Sequence, residues 1–311
     1  MFSSIVQISL ILFSIYGLAI ASGIVSEKSG VLNISINGTM LFGALFSVFG
    51  HIMFKQYGPK ANGSVMVDFA SIILGGIGGI LISFLQSVAT LKFKGNSVII
   101  GTSINILSPI FVLVLAAAFM KQNKGFINQQ GAFGVAVNSA SGFNYWNIFW
   151  FFLVVLIIVG LTIFYRKTKY GLRLETLGDN PLASELSGIN VIKYRFIAIS
   201  LSGLLAGMAG GLVLINQSGS LYTSIGGIGF IALCLIAMTG WKLYILPIVV
   251  FFVSVIFALV NYYSLQESIP KEAFEIIPFV VPFILLPIFS KKVKSPRALG
   301  KNYERNGRGN D

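Results

Sequence analysis

Read from its first residue, the chain alternates between long apolar blocks and short polar breaks. The blocks fall at roughly 2–25, 34–54, 65–91, 98–120, 145–165, 196–215, 225–240, 243–263 and 273–289. A helix rises about 1.5 Å per residue, so a hydrocarbon core of about 30 Å takes roughly 20 apolar residues to cross. Most of the blocks meet that length. The pattern predicts an all-α polytopic protein with about nine transmembrane or re-entrant segments. Blocks 34–54 and 225–240 are short or rich in glycine and polar residues, which makes them candidates for re-entry rather than full spans.

Composition sharpens this picture. Of 311 residues, 55% are hydrophobic and only 10% are charged, against about 25% in an ordinary soluble domain. The net charge of +12 could point to nucleic acid, but its placement points to the positive-inside rule instead. Six basic residues (Arg166, Lys167, Lys169, Arg173, Lys193 and Arg195) sit in one loop, and a second group from Lys291 to Arg308 makes a basic tail. Both are expected on the cytoplasmic face of the plasma membrane of a bacterium. Counting back through the spans puts Lys92, Lys94 and Glu27-Lys28 on that same face and the N-terminus outside. Ala19-Ile20-Ala21 resembles a signal-peptidase site, yet no basic residue precedes the block and its apolar stretch is long, so an uncleaved first span is expected. The domain reading is a permease body over 1–290, with the loop 166–195 inside it, and a cytoplasmic tail over 291–311.

Small residues recur every fourth position at Gly75 and Gly79 and at Gly203, Gly207 and Gly211. That spacing lets two helix backbones approach closely in lipid. Pro278, Pro282 and Pro287 should kink or end the last block.

The chemistry available inside the membrane is sparse. Ion-coupled pumps need acids, bases or histidines deep in their spans, and here Asp68 and Glu275 stand only at block ends. The single Cys234 and the single His51 build neither a disulfide nor a metal site. No G-x-x-x-x-G-K-[ST] phosphate loop is present, so uphill transport would draw its energy from another subunit. Uncharged polar residues do occur in the blocks: Asn33, Ser35, Asn37 and Thr39 around the second, and Thr102, Ser103 and Asn105 in the fourth. A buried amide costs several kcal/mol unless hydrogen-bonded. Such residues therefore either brace helices or line a path for a neutral, polar, ring-bearing solute; Asn33, Asn37, Thr102 and Asn105 are the candidates.

The loop 166–195 holds Gly178-Asp179-Asn180-Pro181-Leu-Ala183-Ser-Glu-Leu-Ser-Gly188. Asp179 or Asn180 can cap a helix whose first position is Pro181, and Gly188 can stop it. The spacing predicts a two-turn helix over 181–187, held off the bilayer and suited to docking a protein partner.

This loop, with its G-L-R … G-x-N-P-x-A … G-I pattern, resembles the cytoplasmic coupling segment of ABC importer permeases for nucleosides and simple sugars. Ser29-Gly-Val-Leu-Asn33-Ile-Ser-Ile-Asn37-Gly-Thr-Met-Leu41 is similar to the family's S-G-V-V-N-I-G-L-E-G-M-M-L. Ile99-Ile-Gly101-Thr-Ser-Ile-Asn105-Ile-Leu107 resembles its V-V-G-x-x-L-N-L-L, and Gly227-Ile-Gly229-Phe-Ile-Ala232 with Gly240-Trp241 loosely fits another of its patterns. Ser295-Pro-Arg-Ala-Leu-Gly300-Lys-Asn-Tyr303 resembles the A-P-x-A-L-G-x-P-Y ending of the nucleoside type. Asn37 and Thr39 depart from it, standing where the family commonly has Glu and Met. The resemblance implies a transport subunit rather than an enzyme, most readily for nucleosides. It also implies Gly178, Asp179, Asn180, Pro181, Ala183 and Gly188 as the coupling element. The implied partners are an ABC ATPase that uses the ATP, a second homologous permease in a heterodimer, and an extracytoplasmic binding lipoprotein, with no cofactor bound directly. A pentose or hexose permease, or a stand-alone secondary transporter, are the alternative readings.

Overall fold

The apolar blocks become helices because a backbone away from water must satisfy its own hydrogen bonds. In the computed structural model, residues 2–57, 65–123, 126–127, 133–134, 145–216, 220–221, 224–264, 280, 295–301 and 303 are described. They form helices α1 (Phe2–Lys28), α2 (Ile36–Tyr57), α3 (Val65–Ser87), α4 (Ser97–Asn123), α5 (Tyr145–Lys167), α6 (Lys169–Asp179), α7 (Pro181–Leu186), α8 (Val191–Asn216), α9 (Ile228–Thr239) and α10 (Leu246–Ser264). A π-helical turn, Val88–Lys92, extends α3. Strands β1 (Phe126–Ile127), β2 (Phe133–Gly134) and β3 (Ser220–Leu221) pair antiparallel in the order β1-β2-β3.

The fold is therefore helical and multi-pass. Six helices (α1–α5 and α8) are long and apolar enough to cross a membrane, and α10 is a shorter apolar helix. The block 34–54 forms a full-length helix. The block 225–240 yields the 12 residues of α9, about 18 Å of helix, which is too short to cross. Apart from Val280, the block 273–289 with its three prolines lies outside the described residues. Pro109 sits inside α4, and the helix continues through it.

Helices α1, α2, α3 and α8 form the centre, where α3 lies along α8 and α2 packs on both. In α1 and α8, 83% and 78% of the apolar window is buried within the protein, against 22% in α4 and 22% in α5. The last two turn most of their surface to lipid or to another chain. The closeness of the centre follows from glycine. A Cβ on Gly79 would fall against the carbonyl oxygen of Gly203, and one on Gly207 against that of Gly75. A Cβ on Gly211 would lie 3.2 Å from Ile72 Cα, so the backbones of α3 and α8 touch along most of their length. In lipid, where apolar burial gives no net drive, such close packing is what holds helices together.

Gly207→Leu should accordingly cost about 3 kcal/mol or more through overpacking and lower both the yield of folded protein and its thermal midpoint in detergent. Gly160, which has nothing within 4 Å of where its Cβ would sit, is the control. Gly160→Leu should leave the midpoint unchanged, measured by loss of monodispersity on heating.

Candidate functional site

Between α1 and α2 the chain leaves helical geometry. Residues 31–33 have no regular secondary structure and 29–30 and 34–35 form turns, with Gly30 at φ 90°. This segment lies against the middle of α8 rather than at its end. Asn33 Nδ2 donates to Ser202 Oγ at 2.8 Å, and Ser202 lies eleven residues into α8, about 16 Å along the helix. Irregular backbone at that depth is stable only where protein groups take its hydrogen bonds, and here they do. Ser26 Oγ donates to Val31 O at 3.0 Å. Asn105 clamps the start of α2 from both sides, its Nδ2 donating to Ile34 O at 2.7 Å and its Oδ1 accepting from Gly38 N at 2.7 Å. Ser35 Oγ sits 2.8 Å from Asn33 Oδ1 and 2.6 Å from Gln86 Oε1, and Thr39 Oγ1 donates to Ser35 O at 3.0 Å. Asn33, Ser35, Thr39, Gln86 and Ser202 are all buried.

The half-length α9 meets this segment end-on. Its N-terminus follows Gly226 and Gly227, both left-handed at φ 64° and 67°, which turn the chain into the helix. Gly229 N donates to Asn37 Oδ1 at 3.2 Å. The N-termini of α2 and α9 thus converge, one held by Asn105 and the other by Asn37. Both carry the partial positive charge of a helix start, and both are met by neutral amides. At its other end α9 stops at Gly240, and Trp241 Nε1 donates to Glu27 Oε2 at 2.5 Å.

The four residues singled out as path-lining therefore separate. Asn33, Asn37 and Asn105 spend their amides on protein partners at the discontinuity, whereas Thr102 is exposed on α4 and bonds only the carbonyls of Val98 and Ile99. The open face of α4, including Thr102 and Ser103, faces away from the body.

The loop 166–195 is more structured than a connector carrying a single short helix. It contains α6, started by Thr168, whose hydroxyl accepts from Gly171 N at 3.1 Å, with Gly171, Leu174, Leu177 and Gly178 on the buried face. Helix α7 follows at once. Asn180, not Asp179, is its cap, with Oδ1 accepting from Ala183 N at 3.1 Å. Pro181 takes the first helical position. Gly188, at φ 80°, ends the helix by donating to Glu185 O at 2.8 Å. Ala183 is exposed, as are Leu182 and Leu186, the latter at 90%. Gly178 is buried because α6 lies on the end of α1, where a Cβ would strike the carbonyl of Lys28. Lys28 Nζ adds an ion pair to Glu175 at 2.9 Å.

Sequence reasoning missed two residues here. Arg195 counted as a loop charge, yet it is 2% exposed and donates from Nε to Ser29 O at 3.0 Å. Glu27, also counted as a surface charge, is 3% exposed at the end of α1. The signal that could have found Arg195 is its position in the first turns of a span; in the fold it faces Gly30, whose Cβ would come 2.7 Å from Nη2.

Set against known proteins, the chain as a whole has relatives. The family model described as branched-chain amino acid transport system / permease component matches residues 5–286. The nucleoside ABC transporter permease protein NupC of Lactococcus lactis is 30% identical over 296 residues, covering 90% of each chain. The guanosine ABC transporter permease protein NupQ of Bacillus subtilis is 26% identical over 298 residues, again covering 90% of each. Among solved structures, an ABC transporter assigned to the metal-chelate type and caught facing inward aligns with 92% of this chain and 85% of its own, at a TM-score of 0.51 and 18% identity, a likeness of fold. With the family model spanning nearly the whole chain, this protein belongs to the permease components of the branched-chain amino acid transport system family and is a membrane-embedded transport subunit, not an enzyme.

Proposed function

We propose that the chain is the membrane permease of an ATP-driven nucleoside importer. One observation carries the substrate class: the end-to-end similarity to permeases named for nucleosides and for guanosine. The chemistry of the site agrees with it. The converging starts of α2 and α9 are capped by neutral amides, and nearby α4 offers hydroxyls, a setting that suits an uncharged polar ring system better than an ion.

In this reading the N-terminus faces outward, and α6, α7 and the tail face the cytoplasm, where the basic residues cluster. Residues 1–290 make the permease body and 291–311 the cytoplasmic tail. An ABC ATPase docks against α7 and uses the ATP; no cofactor binds this chain directly. A second, homologous permease completes the path across the open faces of α4 and α5, and a binding lipoprotein delivers solute from outside. Thr102 lines the path. Asn33, Asn37 and Asn105 shape it by fixing where α2 and α9 begin. Gly178, Asp179, Asn180, Pro181, Ala183 and Gly188 form the coupling element. Gly75, Gly79, Gly203, Gly207 and Gly211 hold the frame on which it acts.

Two outcomes are expected. Reconstituted alone in liposomes, the chain should take up no radiolabelled guanosine, adenosine or uridine above empty vesicles. With its ATPase, second permease and binding protein it should do so only when ATP is supplied; uptake by the chain alone would replace the importer with a facilitator. Separately, Asn105→Leu leaves Gly38 N and Ile34 O buried without partners, at a cost of about 2 kcal/mol or more. It should lower both thermal stability and uptake, whereas Thr102→Val should lower uptake with the thermal midpoint unchanged. Normal uptake by Thr102→Val would remove that residue from the path.

A further inference from the structure

The described residues of the tail motif Ser295–Tyr303 are hydrogen-bonded to α6, α7 and α8 and to the break after α1. Ala298 is buried and donates its backbone N–H to Gly178 O at 2.8 Å, at the junction of α6 and α7. Gly300, left-handed at φ 74°, donates to Gly30 O at 3.1 Å. Tyr303 donates its hydroxyl to the Glu185 carboxylate on α7. Arg195 of α8 then joins the break after α1 to the tail, giving Nε to Ser29 O at 3.0 Å and Nη1 to Lys301 O at 3.5 Å. The tail thus bridges α7 to the first residues of the α1–α2 discontinuity. That discontinuity runs without a helical turn to Asn33 and Ser35, which are bonded to α3 and α8.

Two other routes lead from α7 to the spans: back through α6, which rests on the end of α1, and forward through 187–190 into α8. That stretch ends in the start of a long, deeply packed helix, which is stiff along its axis and anchored by glycine contacts to α3. Residues 31–33 carry no regular secondary structure, so they can shift without breaking a helical ladder. A pull on Ser29 and Gly30 alters where α2 begins; a push on α8 has to move the frame.

We propose that the tail Ser295–Tyr303 is a transmission strap: it carries displacement of α7 to the α1–α2 discontinuity, with Arg195 as the residue that holds the strap to that discontinuity. The proposal deepens the importer reading and rests on it. Charge and shape both fit the role. A guanidinium presents its donors in a rigid planar fork, which lets Nε and Nη1 address carbonyls of two different segments in a fixed geometry. Gly30 leaves room for that fork to lie flat on the backbone.

The test uses the complete complex of permease pair, ATPase and binding protein in proteoliposomes, reading nucleoside uptake per ATP hydrolysed for guanosine, adenosine and uridine in turn. Tyr303→Phe removes one oxygen and nothing that supports insertion. It should lower the ratio about tenfold, the scale of one hydrogen bond to a charged group, while the ATPase stays bound and hydrolyses ATP. Deletion of 295–311 should abolish uptake while leaving ATPase co-purification at the wild-type level. An unchanged ratio in both variants would overturn the strap, and so would release of the ATPase by Tyr303→Phe, since the tail would then be part of the docking surface. If the wild-type complex itself shows no ATP-dependent uptake, the importer reading falls and the strap falls with it; normal wild-type coupling with normal variants removes the strap alone.

Discussion

Backbone that leaves helical geometry inside a bilayer exposes N–H and C=O groups to a medium that cannot bond them, at several kcal/mol each. The stretch between α1 and α2 leaves helical geometry beside Ser202, and side chains meet both its backbone and its own polar side chains. Asn105 supplies both a donor and an acceptor to Ile34 and Gly38, Asn33 reaches Ser202, and Ser35 meets Gln86. Removing any one of these leaves a dry polar group behind. The segment is consequently tied by side chains to α3, α4 and α8, so a displacement at Ser29 and Gly30 is felt at the start of α2 and at those three helices.

That requirement explains the division of labour among the helices. The frame is α3 against α8, with α2 on both, drawn to backbone contact by glycines so that dispersion can replace the missing hydrophobic drive. The outer helices α4 and α5 each bury a narrow stripe (Asn105, Ser108, Val112 and Ala116 on α4; Trp150, Val154, Ile158 and Tyr165 on α5) and keep their remaining surface for lipid or a partner chain. The half-length α9 ends where α2 begins, and Asn37 joins them. Two helix starts then point into one place in the membrane. A carboxylate at residue 37 would suit their partial positive charge; an amide there leaves the region neutral, in keeping with an uncharged solute.

Much of this was legible in the sequence because lipid imposes long, uniform blocks. Helices α1, α3, α4, α5 and α8 follow their apolar stretches to within a few residues, and the α7 stop and start signals, Asn180-Pro181 and Gly188, act through the same atoms that capping rules predict. The unusual amides Asn33, Asn37 and Asn105 stood out because polar groups in apolar blocks need a reason. What did not show was pairing across the chain. Gln86 and Ser202 look like ordinary interfacial residues until Asn33 arrives from well over a hundred residues away to bond one of them. Arg195 and Glu27 read as loop charges because position in sequence says nothing of burial. Helix α6 was hidden for a different reason: its buried Gly171, Leu174, Leu177 and Gly178 keep helical spacing, but a charged, loop-like composition masked it.

The central claim is that this chain moves solute only when a partner ATPase works through the exposed face of α7. Site-directed cross-linking measures that contact most directly. In the assembled complex, a cysteine at Leu186, 90% exposed on α7, should cross-link to the ATPase, and the yield should change when ATP is bound. A cysteine at Leu156, 69% exposed on α5, should not. Cross-linking that favours Leu156, or none from Leu186 in a complex that transports, would contradict the account.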